Sequence, residues 1–184
     1  NLIFEDGEWR VFKNFKLEKI LADAKKLENQ KEFAKAMTLV SSAMEIDPYN
    51  KEANNLASTL QDKIGIEKIK ADYFSKIEIF EFESKYFESI LYGKVPGIKF
   101  ALKNNGDKTL NKVQVKVYFL DNDGLAIAED TYTPVNNGTW CFSDCDPLKP
   151  NYIWRHGDQF YKKDTLGPEW SGKATIEIAD IEFE

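Results

Sequence analysis

The only two cysteines, Cys141 and Cys145, stand in the run Cys-Phe-Ser-Asp-Cys. Bonded to each other they would close a very short loop, worth roughly 2 kcal/mol of chain entropy, and such a bond belongs to an oxidising compartment. A redox-active pair prefers two intervening residues, and here there are three. A zinc site would need two further ligands, and the chain has one histidine. A structural disulfide is therefore expected, with free thiols and then a functional pair as the alternatives. His156 has no serine or cysteine motif beside it and reads as a loop histidine. Asp121-Asn122-Asp123-Gly124 invites a calcium reading but lacks the remaining ligands of a calcium loop, so it reads as a turn. Asp144 and Asp146, around Cys145, are explained in the same way. Trp140, Trp154 and Trp170 lie in or beside the long connections of the second half. Aromatic rings on loops can form a patch for sugar or peptide; otherwise such rings cover the end of a small β domain.

No spacing singles out a catalytic carboxylate pair, and the chain has no glycine-rich phosphate loop. The expectation is a non-enzymatic protein with no catalytic residue, no metal and no cofactor.

The elements that must position these residues follow from composition and periodicity. The chain has 184 residues, 42% of them hydrophobic and 30% charged, enough to bury a core and too apolar for disorder. Its 25 basic and 31 acidic side chains leave a net charge of −6, which argues against nucleic acid as a partner. No apolar run spans a bilayer. The chain opens on Asn1 rather than Met, and membrane attachment is expected only through an anchor ahead of it.

The two halves differ. Only six of the 25 aromatic residues lie before Tyr73. Residues 1–13 read as a short hairpin with an Asp6-Gly7 turn, or as the remnant of a preceding domain. From Asn14 the apolar period is helical. Ile20, Leu21, Ala24 and Leu27 form one stripe; Phe33, Ala36, Met37, Val40 and Ala43 form a second; Ala53, Leu56, Leu60 and Ile64 form a third. Asp47-Pro48-Tyr49-Asn50 separates the second helix from the third, and Gly65 is expected to interrupt the third. After Ala71 the period becomes two. Ile98, Phe100 and Leu102 alternate, as do Val113, Val115 and Val117, and about seven short strands separated by turn signals predict a β-sandwich. The fold class is thus α+β by segregated subdomains: helical over 14–72, strand-built over 73–184.

Two family resemblances sit on these residues. Ile20, Ala24, Leu27, Ala36, Val40, Ala43 and Pro48 occupy the slots of a tetratricopeptide repeat, with Asp23 departing from the pattern. Residues 14–72 thus resemble an antiparallel three-helix, TPR-like unit. Gly97-Ile98-Lys99-Phe100-Ala101-Leu102-Lys103-Asn104 and Val113 to Asp121, followed by Gly124, resemble the bacterial FxLYD-type domain, although Phe119-Leu120-Asp121 stands where the family has Leu-Tyr-Asp. That resemblance implies an immunoglobulin-like sandwich over about 75–184. It also implies an extracytoplasmic setting, periplasmic or at the cell surface, often behind a lipoprotein-type anchor, and it transfers no catalytic residue. The expected function is a protein-interaction or structural module of the cell envelope, with an unidentified protein partner. The alternative is a carbohydrate or small-ligand domain using Trp140, Trp154 and Trp170.

Overall fold

A computed structural model describes residues 2–5, 7–11, 14–89, 93–138, 146–157 and 160–184. A two-stranded hairpin, β1 (Leu2–Glu5) and β2 (Glu8–Val11), is followed by α1 (Phe15–Asn29), α2 (Phe33–Ile46) and α3 (Lys51–Phe74), and then by antiparallel strands. The chain divides into two compact units, residues 1–69 and 70–184, so the boundary falls inside α3.

The helical unit is built from the stripes in the sequence. The Asn14 side chain accepts from the Leu17 N–H and so caps α1, and Asn50 does the same for α3 through the Ala53 N–H at 3.0 Å. Ala24, Ala36, Val40, Ala43 and Ala53 are wholly buried, and their small size lets the helix backbones approach. Leu17, Leu21, Leu56 and Leu60 complete the same core. Gly65 does not interrupt the third helix: α3 runs through it to Phe74. One interior glycine costs about 1 kcal/mol relative to alanine, which hydrogen-bonded turns on both sides can bear.

The second unit has β3 (Ile77–Ser89), β4 (Gly93–Asn104), β5 (Leu110–Leu120), β6 (Ala126–Asn136), β7 (Ile153–Arg155), β8 (Tyr161–Lys162) and β9 (Lys173–Phe183). β4 is central in one sheet, with β3 on one edge and β7 and β8 in succession along the other. β5 is central in the second sheet, between β6 and β9. The alternating residues of the two central strands meet in one core: Ile98, Phe100 and Leu102 from β4, and Val113, Val115, Val117 and Phe119 from β5. Lys112, Gln114 and Lys116 face the other way and keep contact with water.

β3 runs from Ile77 to Ser89 with one extra residue against β4, at Glu81–Phe82. Glu81 adopts φ +52°, a left-handed conformation that a residue with a Cβ resists. Its carboxylate accepts both arms of the Arg155 guanidinium, each at 2.9 Å. The fork holds its carboxyl below the ordinary range.

Among the described residues of this unit one polar side chain is fully buried, Asn104 at the end of β4. Its Oδ1 accepts from the Tyr73 hydroxyl and from the Gly106 N–H, both at 3.0 Å. Its Nδ2 donates to the carbonyls of Lys108 at 2.8 Å and Leu148 at 3.0 Å. All the capacity of the amide is used. The Tyr73 hydroxyl in turn accepts from the Lys108 N–H at 2.9 Å. A Cβ on Gly106 would overlap that hydroxyl, which is why glycine stands there.

Asn104→Leu should destabilise the protein by roughly 3–5 kcal/mol and Tyr73→Phe by roughly 1–3 kcal/mol, because each strands buried partners. Gly106→Ala should also lower stability, and urea unfolding followed by near-ultraviolet circular dichroism checks all three. At the bulge, Glu81→Gly should unfold at a higher temperature than Glu81→Ala, since both lose the Arg155 fork and only glycine relieves the backbone.

Candidate functional site

Two places collect side chains that could meet another molecule, one in each compact unit. In the strand unit it is an aromatic ladder on the β7–β8 edge of the first sheet. Trp154 lies against Phe100 at 5.7 Å between ring centroids. His156 stacks on Trp154 at 5.7 Å and on Tyr161 at 4.8 Å, nearly parallel to the latter. Tyr161 also meets Tyr132 of β6 at 4.4 Å. Beside the ladder, Asp130 accepts from Lys163 Nζ at 2.8 Å. On its open side Trp154 lines a cleft of about 240 Å³ together with Tyr152, Arg155, Asp146 and Leu148.

The electrostatics follow from this packing. Burial pushes the Tyr161 phenol up to about 12, because its neutral form suits the apolar ladder. Burial raises Tyr132 as well, with the neighbouring Asp130 charge adding to it. Burial alone would raise the Asp130 carboxyl, but the Lys163 ammonium and the Thr131 N–H outweigh it and hold the group below the ordinary aspartate range.

In the helical unit a groove of about 340 Å³ opens where α1 begins, α2 ends and α3 begins. Leu17, Leu21 and Ile46 form its apolar lining, and Glu18, Asp47 and Glu52 its acidic one. Phe15 and Tyr49, each next in sequence to a lining residue, are 76% and 91% exposed.

The residues singled out from sequence fall in separate places. Trp140, Cys141 and Cys145 lie outside the described residues. Trp154 lines the cleft. Trp170 is only 3% exposed, packs on Phe119 and Tyr86, and donates its indole N–H to the Lys173 carbonyl at 2.9 Å, so it presents no ring face to a ligand. His156 lies on the loop that follows β7, and its ring is stacked in the ladder. Asp121 takes two backbone N–H groups on Oδ1, from Asp123 and Leu125, as a turn residue does. Among the described residues no cluster of His, Cys, Asp or Glu is arranged to hold a metal. Among the described residues, no helix is long and apolar enough to cross a membrane. Tyr132, Tyr161 and Lys163 were not singled out from sequence. Tyr132 and Asp130 stand on β6, far in sequence from Tyr161 and Lys163, and only the tertiary pairing brings the two segments together.

No protein-family model, curated protein or solved structure matches this chain.

Stability should fall at both ends of the pH scale. The phenol of Tyr161 is raised in the fold, so its contribution is complete below the ordinary value near 10 and is lost as pH rises through about 12. The carboxyl of Asp130 is depressed, so its contribution is complete above the ordinary aspartate value and is lost as pH falls through the folded one. Urea midpoints measured against pH should show a shallower alkaline limb in Tyr161→Phe and a shallower acid limb in Asp130→Asn.

Proposed function

We propose that this chain is a non-enzymatic interaction module of the cell envelope, in which a TPR-like helical hairpin precedes an immunoglobulin-like sandwich of FxLYD type. The observation that carries the reading is the groove at Leu17, Leu21 and Ile46, with the exposed Phe15 and Tyr49 next in sequence to its lining residues Asn14 and Pro48. Apolar rings beside an acidic rim suit a protein segment with apolar and basic residues, since each anchor then has a counterpart. The small buried residues Ala24, Ala36, Val40 and Ala43 support the TPR-like reading of α1 and α2. The immunoglobulin-like reading is supported by the path of the chain. After β3 and β4 in one sheet it crosses to β5 and β6 in the other, returns for β7 and β8, and crosses again to β9. The extracytoplasmic setting rests on the FxLYD resemblance and on the expected Cys141–Cys145 bond.

A second reading, carbohydrate or small-ligand binding, is favoured by one observation: Trp154 and the 59%-exposed Tyr152 line the same cleft.

A photo-crosslinking residue at Tyr49, in cells that make the protein, should give one discrete protein adduct, and Ile46→Glu, at an exposed position of the groove, should abolish it. Absence of any adduct from Tyr49 and from Phe15 would remove the helical groove as the docking surface. Glycan-array binding lost on Trp154→Ala would move the assignment to the second reading.

A further inference from the structure

The second sheet ends on β9, which forms a backbone ladder only with β5 among the described residues, while β3 of the other sheet runs close by and its Ser84 hydroxyl donates to the Gly172 carbonyl at 3.0 Å. The core-facing residues of β9 show the consequence. Ala174, Ile176 and Ile178 are half-buried, whereas the residues opposite Ile176 and Ile178, Val117 and Val115 on β5, are wholly buried.

The solvent face of the same sheet carries a charge pattern. β5 presents Lys112 and Lys116, flanked by acids on both sides: Lys112 meets Glu182 of β9 at 2.8 Å, and Lys116 meets Glu129 of β6 at 2.9 Å. Glu177 stands opposite Lys116 in register and accepts from the Tyr118 hydroxyl at 2.7 Å. A strand added beyond β9 should therefore place a base opposite Glu177.

The open stretch is short and its ends are marked. At one end the Lys173 carbonyl is taken by the Trp170 indole. At the other, Lys70 Nζ covers Asp180 at 2.9 Å, next to the irregularity that breaks the ladder between Ile178 and Asp180. Within these limits β9 carries its own complement, because Lys173 and Glu177 lie four positions apart on the solvent face. We propose that two copies of the chain pair β9 with β9, antiparallel, about a two-fold axis at Thr175. Thr175 then faces its own copy. Lys173 of each chain faces Glu177 of the other, twice by symmetry, and Ala174 faces Ile176 on the apolar side. The neighbouring registers that keep apolar residues on one face are worse. Centring on Ile176 leaves Lys173 opposite Ala179, and centring on Glu177 sets that carboxylate against itself. The product is one continuous sheet in which both open edges are closed.

Sedimentation equilibrium of the full chain should show a reversible dimer. Lys173→Glu and Glu177→Lys, both at exposed positions, should each weaken it by at least about tenfold, and the two together should restore it. Far-ultraviolet circular dichroism should be unchanged in all three. Thr175→Cys should give a disulfide-linked dimer on mild oxidation, because directly opposed strand residues lie within bonding range, while Glu182→Cys and the unaltered chain should not. A strictly monomeric chain overturns the proposal. So does a dimer that is insensitive to both charge reversals, or one in which Thr175→Cys does not cross-link. This surface is distinct from the helical groove, so the two assignments stand or fall separately.

Discussion

The amide of Asn104 is the constraint on which the strand unit depends. It sits at the last residue of β4, where the chain leaves the first sheet for the second, and it is fully buried. A buried amide left unpaired costs several kcal/mol, so all of its capacity must be matched by groups whose positions are fixed. Its partners come from four places: the end of α3 through Tyr73, the turn at Gly106, the backbone of Lys108 entering β5, and Leu148 before β7. Leu148 also exchanges backbone bonds with Leu110, which ties the same point to the first residue of β5. Satisfying one side chain therefore sets where the helix stops and where β5 starts. It also sets where the chain returns.

Around this point the apolar residues need only alternate. β4 and β5 are central in their sheets; β5 buries one face and alternates cleanly, whereas β4 also buries Val95, Gly97 and Ala101, out of step with Ile98, Phe100 and Leu102. The edge strands are less regular. β3 carries the Glu81 bulge, and β6 and β9 have register shifts against β5. Such breaks aim edges away from chance pairing. On β9 the irregularity leaves a stretch of regular strand between two covered ends, which gives that edge a defined length and polarity.

The helical unit follows a different rule. Its stability rests on close approach at alanines and on caps from Asn14 and Asn50, and neither feature requires Phe15 or Tyr49 to be exposed. Residues that a fold does not need for packing are those free to be used for recognition. In the strand unit the aromatic ladder is the reverse case. Trp154, His156 and Tyr161 are largely occupied with one another, and only the cleft side of Trp154 and Tyr152 remains open.

Much of the fold was legible in the chain itself, because periodicity is local. The shift from a helical repeat to alternation after Ala71, the valines of β5, the Asn50 cap and the Asp121 turn each depend on a few neighbouring residues and appear where the sequence puts them. Gly65 misled for the same reason: its intrinsic cost is local, but the continuity of α3 was decided by turns on both sides of it. The candidate sites were less legible. Trp154 and Trp170 look alike as loop tryptophans, yet one lines a cleft and the other has its N–H bonded and its ring in the core. Burial is a property of what packs on a residue, and for these two that comes from strands far away in the chain. The sequence by itself determined the elements and their inward faces. Only the tertiary structure decided that Tyr73 would meet Asn104, that Tyr132 would meet Tyr161, and that β9 would be an edge, because each depends on which distant segments lie side by side.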